Sequence, residues 1–411
     1  MKLQPYNLSQ LLVIKPLVLM FLCFFSCSKK NIDSETVLPV IPIDTTVKKA
    51  DYQKLARETH GFITSNLLTQ YGSYRANTTS KSNIVYEWYV TSQIYADAAM
   101  IAAGDSTYFT YMNKTFSWMD NMWDRSNNGN GGYFAACNLD GTGAGGDKYI
   151  DDNALTGMVY LSAYDVSSGA TKQAYLNRAK ACGDWLIKSG LWDNVAEGGF
   201  WWSTQKTQKP TQSNGLCLQL FLRLYELTGE VVYKNWALQV DTWLTSKMYD
   251  SQSGLFNWMY DGPNASVLHT EKFTYDNAIM VEAYLLYSKI LGNSNYLEKA
   301  QALGRAMNLT LWNPAAKAYI FLTDPAQSRV NPAWCGWGSQ AMIKLYEADK
   351  NPAWLTYAQQ NIDGLNIACR NTSNNGYHFF ASFGGGNRSP EFEGVDQAWM
   401  QRVQALMSKY K

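Results

Sequence analysis

An all-α (α/α)6 barrel, a ring of six helical hairpins, is the fold class that three features of the 411-residue sequence predict. The first is a recurring unit: an aromatic start, a helical stretch with Ala or Trp on one face, then a tail rich in Gly and aromatics. Copies run Tyr108–Trp123, Tyr175–Trp192, Tyr233–Tyr249, Tyr296–Trp312 and Trp354–Cys369. Their starts lie about 58 to 67 residues apart, a period that suits helix pairs with long loops. The second feature is another helix between the copies, opening near Trp88, Asp152, Asn214, Asp276, Gly338 and Asp396. The third is the segment Asp396-Gln397-Ala398-Trp399-Met400, which repeats the inner opening where an open solenoid would carry a polar capping repeat. An outer helix over about Asp51–Thr69 completes the first pair, and the loops of such a ring form a cleft at one end.

Taken in order, the chain divides into residues 1–27, 28–50 and 51–411. In the first segment Lys2 and Lys15 supply positive charge, Leu17 to Phe25 is an apolar run, and Ser26 precedes Cys27. This is the pattern of a processing segment, too short to span a bilayer. Cys27 with Ser28-Lys29-Lys30 resembles the lipobox of bacterial lipoproteins, which makes Cys27 the expected lipidated residue and an exported, membrane-anchored place in the cell envelope the expected localisation, with the periplasmic and surface sides both open. An ordinary cleaved signal peptide is the alternative. Residues 28–50 are rich in Ser, Thr, Asp and Lys with Pro39 and Pro42, the composition of a tether. The remaining residues form one helical domain, expected to act as a monomer.

Net charge is +1 without basic blocks, which argues against a nucleic-acid partner. Cys137, Cys182, Cys217, Cys335 and Cys369 have no close paired spacing, so neither a disulfide framework nor a zinc site is expected. Cys182, Cys217 and Cys369 lie among apolar helical residues as small core side chains. His60, His269 and His378 neighbour no serine, cysteine or carboxylate motif, which disfavours triad and zinc-hydrolase chemistry. No metal and no cofactor is expected.

Chemistry concentrates at Asp147-Lys148-Tyr149-Ile150-Asp151-Asp152-Asn153, between a loop carrying Gly141, Gly143, Gly145 and Gly146 and an apolar-periodic segment. The spacing of Leu155, Val159 and Ala163 predicts a helix beginning near Asp152. Neighbouring helical residues project about 100° apart. Two adjacent carboxyls therefore face one ligand only if Asp151 stands half outside the helix. Capping by Asp is the competing explanation. The glycine-rich loop favours close approach to a ligand instead. Trp201, Trp202, Trp258, Trp334 and Trp337 fall beside glycine in expected loops or tails, where flat rings suit the C–H faces of sugars.

Four motifs in order then carry a resemblance: Tyr149-Ile150-Asp151-Asp152-Asn153-Ala154; Gly198-Gly199-Phe200-Trp201-Trp202; Ser213-Asn214 leading a helix that ends Leu224 to Glu230; and Phe273-Thr274-Tyr275-Asp276-Asn277. Together they resemble glycoside hydrolase family 76, over roughly Tyr86 to Asn308. The resemblance implies an (α/α)6-barrel endo-α-1,6-mannanase that acts with retention, with a polysaccharide or oligosaccharide substrate of the α-mannan type. It implies Asp151 as nucleophile and Asp152 as general acid/base, with Trp88, Trp201, Trp202, Asn214, Tyr275 and Asp276 around the substrate. Asp276 stands where the family usually carries an amide. The pairing is coherent: a helix N-terminus favours an ionised carboxylate, a like charge nearby raises its neighbour's pKa, and retaining glycosidases set two carboxyls about 5–5.5 Å apart. The rivals are another (α/α)6 carbohydrate enzyme, such as an unsaturated-uronide hydrolase or a histidine-dependent epimerase, and a glycan-binding lipoprotein without turnover.

Overall fold

The computed structural model describes residues 50–80, 82–126, 131–195 and 197–410. Cys27 and the tether before Ala50 lie outside them. Twelve α-helices are present among the described residues. They are α1 (Tyr52–Asn66), α2 (Glu87–Ala102), α3 (Phe109–Met119), α4 (Ile150–Val166), α5 (Gly169–Lys188) and α6 (Thr211–Thr228), then α7 (Val231–Trp243), α8 (Thr274–Leu291), α9 (Ser294–Thr310), α10 (Pro332–Asp349), α11 (Pro352–Cys369) and α12 (Gly394–Met407).

The even-numbered helices form the inner ring. Each packs on the next, from α2 through α4, α6, α8 and α10 to α12, and α12 returns to α2. The expected (α/α)6 barrel is thus a closed ring. Burial explains which helices go inside: α2, α6, α8, α10 and α12 bury twelve or more residues each, spread around the whole helix, whereas α7 and α9 bury a single stripe. Close approach needs small residues. A Cβ on Gly157 of α4 would stand 2.6 Å from Leu220 of α6, and one on Gly215 of α6 would stand 2.7 Å from Ile279 of α8.

Pairing differs from expectation at the seam. The helix α1 packs on α12 rather than completing a pair with α2, because α2 already takes α3 as its outer partner. Also, α10 opens at Pro332, six residues before the expected Gly338. Proline at the first helical position costs no hydrogen bond, and the Asn331 side chain caps the Trp334 N–H. Trp334 and Trp337 consequently lie inside a helix and not in a loop.

Each Gly- and aromatic-rich tail forms the return arm of a tiny hairpin between an outer helix and the next inner one. Pairings join Trp123 to Tyr133, Trp192 to Phe200, Tyr249-Asp250 to Leu255-Phe256, Trp312-Asn313 to Ala318-Tyr319, and Arg370 to Tyr377. A sixth, Leu68 with Tyr74, follows α1 and lacks the Gly-Gly signature. A buried backbone N–H needs an acceptor. It is supplied by an amide in the first turn of the following inner helix: Asn153 accepts from Tyr133, Asn214 from Phe200, Asn277 from Phe256 and Gln397 from Tyr377, at 2.6, 2.7, 2.7 and 2.6 Å. For Tyr319 the amide is Asn361 of α11, at 2.8 Å. Lysines just before three inner helices hold the same hairpins. Lys148 binds Asp124 and the Gly131 carbonyl, Lys209 binds Asp193 and the Gly198 carbonyl, and Lys272 binds Asp250 and Asn257. These devices tie four hairpins to the inner helices α4, α6, α8 and α12, and the fifth to α11.

Candidate active site

The mouth is built from the second and third residues of the inner helices. Tyr149 is extended and precedes α4, so Asp151 and Asp152 are its second and third residues. Both lie inside the first turn, and neither makes the side-chain cap that the capping explanation required. The expected half-out position of Asp151 is therefore corrected. Two adjacent carboxyls reach the same opening because helical Cα–Cβ bonds tilt toward the N-terminus, and at the first turn that direction is the mouth.

The two carboxyls have different surroundings. Asp151 accepts from the Trp202 indole N–H at 2.9 and 2.8 Å, from the Gln212 amide at 3.0 Å, and from the Asp152 backbone N–H at 3.0 Å. Trp202 is fixed in turn: its carbonyl accepts from the Ile150 N–H at 2.9 Å, and its ring rests on Tyr149 with centroids 4.6 Å apart. Burial raises the Asp151 carboxyl above the usual range, and the bonds from Gln212 and Trp202 pull it back down. No described residue donates a hydrogen bond to the Asp152 carboxyl. Burial, and then the Asp151 charge, push Asp152 well above the ordinary carboxylate range. Of the pair, Asp151 carries the hydrogen bonds that favour an anion, and Asp152 is pushed further toward its acid form.

A third carboxyl stands beneath them. Glu87, the first residue of α2, is fully buried and accepts from the Thr156 hydroxyl at 2.8 Å, one turn below Asp152 on α4. Burial and then the Asp152 charge raise it as well. Sequence reading missed Glu87 and Gln212. Gln212 was legible once the repeats are aligned by helix start, since it holds in α6 the place that Asp151 holds in α4.

The remaining expected residues divide. Trp88 of α2 stacks on Trp334 of α10 with centroids 5.3 Å apart and planes at 23°, and Trp334 meets Tyr275 of α8 at 4.9 Å. These three line one side of the mouth. Trp201 does not face it: the ring is buried under the Lys209 ammonium, which sits 4.4 Å from its centroid. Asn214 is buried and its amide is spent on the backbone of Phe200 and Pro210, so it is a clamp and not a sugar contact. Asp276 is buried with no exposure to the mouth. Trp337 packs against Trp399 in the core at 4.2 Å. Of the loop glycines expected to approach a ligand, Gly141 lies against the Asn121 side chain and Gly143 against Asn138, while Gly145 and Gly146 face open space.

The histidines form no pair. His60 is buried beside Gln401 and Asp97, His378 bonds the Ser389 carbonyl at 2.6 Å, and His269 stands on a surface hairpin beside Asp261. Epimerase chemistry based on paired histidines lacks its groups here.

A closed (α/α)6 ring with two unequal carboxyls at its mouth and indole rings around them defines an (α/α)6-barrel protein of the carbohydrate-active class. The sequence profile of Glycosyl hydrolase family 76 matches residues 50–331, and the chain belongs to that family. Among solved structures it is similar to a family 76 α-mannanase of Bacteroides thetaiotaomicron, at 20% identity and TM-score 0.77, over 88% of this chain and 96% of that one. It is also similar to an inactive variant of the α-1,6-mannanase GH76A of Salegentibacter sp. HEL1_6, in which two consecutive aspartates are asparagines and α-1,6-mannotriose is bound, at 16% identity and TM-score 0.70, over 88% and 100%. A cellobiose 2-epimerase of Bacillus thermoamylovorans shares the fold at 12% identity and TM-score 0.69, over 86% and 98%. A curated relative, the mannan endo-1,6-α-mannosidase DCW1 of Candida glabrata, is 26% identical over 121 residues. That match spans 27% of each chain.

Proposed function

We propose that the protein hydrolyses α-1,6-linked mannan with retention of configuration, Asp151 attacking the anomeric carbon and Asp152 acting as general acid and then general base. The observation that carries this is the inequality of the pair: Asp151 receives three kinds of hydrogen bond that favour its anion, while Asp152 is pushed toward its acid form. A nucleophile and a proton donor need those opposite states at the same pH. Family membership and the mannan-acting relatives support the substrate class.

In the first step Asp152 protonates the glycosidic oxygen as the Asp151 carboxylate forms a bond to the anomeric carbon and the C–O bond to the leaving sugar breaks. In the second, the Asp152 carboxylate takes a proton from water, whose oxygen displaces Asp151. Trp88, Trp334 and Tyr275 offer ring faces to the sugars. Cys27 is proposed as the lipid-anchored residue, so that the hydrolase works at the cell envelope; unchanged membrane partition of Cys27→Ala would refute the anchor.

Incubating the protein with α-1,6-mannan and a panel of other polysaccharides, while following the anomeric signals of fresh product by NMR, tests the main proposal. Products of α configuration from the mannan are expected. Initial β products would overturn the retaining mechanism, and cleavage confined to another glycan would overturn the substrate.

A further inference from the structure

Five buried side-chain oxygens of α6 and α8 lack a hydrogen-bond partner: the hydroxyls of Ser213 and Tyr287, which can turn to donate, and three that can only accept when unprotonated, both carboxyl oxygens of Asp276 and the side-chain oxygen of Gln212. Asp276 is the third residue of α8. The corresponding residue of α12, Asp396, accepts from the backbone N–H of Ala333, second residue of α10, at 2.9 Å. Asp276 lies beside the matching N–H, that of Gln212, but without a bond of normal geometry. The NH2 end of the Gln212 side chain is already committed to Asp151, which leaves its oxygen end unsatisfied. Three acceptors without a donor are a costly buried arrangement. One proton resolves most of it, because a carboxylic acid is a donor where a carboxylate is not.

We infer that Asp276 is a neutral carboxylic acid whose O–H donates to the Gln212 side-chain oxygen and so fixes the amide with its NH2 toward Asp151. Asp276 is then a positioning residue, acting on the nucleophile through Gln212. Its effect on turnover rests on the proposed role of Asp151; its protonation does not. Burial supports the neutral form, pushing Asp276 well above the carboxylate range with no cation in opposition. The ionisable group beside it on its own helix is Tyr275, whose hydroxyl burial, and then the Asp276 and Asp151 charges, push up so that it stays neutral, and Asp151 lies beyond Gln212. On the other side α10 opens Pro332-Ala333-Trp334-Cys335, where only the buried Cys335 thiol titrates, and burial pushes it up to about 12. With Asp276 ionised, the Gln212 amide would gain by turning over, giving its NH2 to Asp276 and its oxygen to the Asp151 carboxylate. That orientation repels the nucleophile.

Carbon-13 NMR of the full protein labelled at aspartate carboxyls, compared with Asp276→Asn, identifies the Asp276 signal. It is expected at the protonated shift at pH 7. An ionised shift at pH 7 overturns the inference, whatever the substrate proves to be. Steady-state kinetics on α-1,6-mannan then test positioning. Asp276→Asn keeps an N–H donor and is expected to stay within about threefold in kcat, whereas Asp276→Leu keeps bulk without a donor and is expected to lose about tenfold or more in kcat with little change in KM. Equal losses in both variants would overturn the role. Should Asp276→Leu fail to fold, the NMR signal and the Asn variant still decide. A wild-type protein with no mannanase activity would refute the hydrolase proposal alone and leave the NMR result standing.

Discussion

Asp151 and Asp152 are neighbours in sequence and in space, yet one is hydrogen-bonded at both oxygens and the other at neither by the described residues. Their asparagine variants should therefore fail differently. Asp152→Asn is expected to lose about 10²–10⁴-fold on mannan, the usual value of a general acid. With an activated α-mannoside it should still load Asp151 and accumulate a glycosyl-enzyme adduct visible by mass spectrometry. Asp151→Asn should form none; an adduct on another residue would overturn the assignment. Trp202→Phe removes the indole N–H and both of its bonds to Asp151. Those bonds favour the anion, so their loss should raise the Asp151 pKa and move the acid limb of the kcat/KM profile to higher pH. An unmoved acid limb would mean that Trp202 acts only by packing. The carboxyl pair was legible because two adjacent aspartates after a glycine-rich loop are conspicuous in sequence. Glu87 was not, because a lone glutamate gives no sign that folding will place it under Thr156 beside another helix.

Among elements, the hairpin and inner-helix start work as one unit. Asn214 illustrates this: the family resemblance implied a substrate contact, but the fold uses it to satisfy the Phe200 N–H and the Phe200 and Pro210 carbonyls. Asn214→Ala strands a buried N–H and is expected to cost roughly 1–3 kcal/mol, read as a lower midpoint in urea. The Trp202 indole belongs to the same hairpin, so kcat should fall too. An unchanged midpoint would remove the clamp argument. Sequence periodicity found the starts of the outer helices α3, α7, α9 and α11 to within two residues, since their aromatic starts repeat, but placed that of α5 at Tyr175, six residues after Gly169. It misplaced the opening of α10, because a first-turn proline is a start signal that lies outside hydrophobic periodicity. It also read ring-facing tryptophans and core tryptophans alike. Nothing in Trp201-Trp202 tells which ring a lysine will cover.

For the whole molecule, the interior carboxyls set the pH response of stability. Glu87, Asp151, Asp152, Asp276 and Asp396 are raised by burial, and Asp97 is raised to about 8. A carboxyl whose folded pKa exceeds its unfolded value binds more protons when folded, so its stabilising contribution is lost as pH rises from the unfolded pKa through the folded one. His60, lowered to about 4 by burial, works the other way, gaining stability as pH rises from there to its ordinary value. The ion-paired Asp105, Asp124 and Asp250 are lowered and contribute their change only at more acidic pH. Asp241, Glu282, Asp363 and Glu393 are raised by burial too, which makes ten raised carboxyls among the described residues against two lowered histidines, His60 and His378, so Tm should fall between about pH 5 and 8. A Tm that climbs steadily over that interval would refute the neutral state of the cluster.

The seam between α1 and α12 has a consequence in time as well as in space. The inner ring closes where α12 meets α2, a contact between segments roughly three hundred residues apart in the chain. Until Gly394–Met407 docks, α2 and α10 each keep a flank that the finished ring covers. Growth from the N-terminal side therefore builds an open arc with two unsatisfied edges, and a single late event removes both. Such a chain is vulnerable until α12, made roughly three hundred residues after α2, has docked.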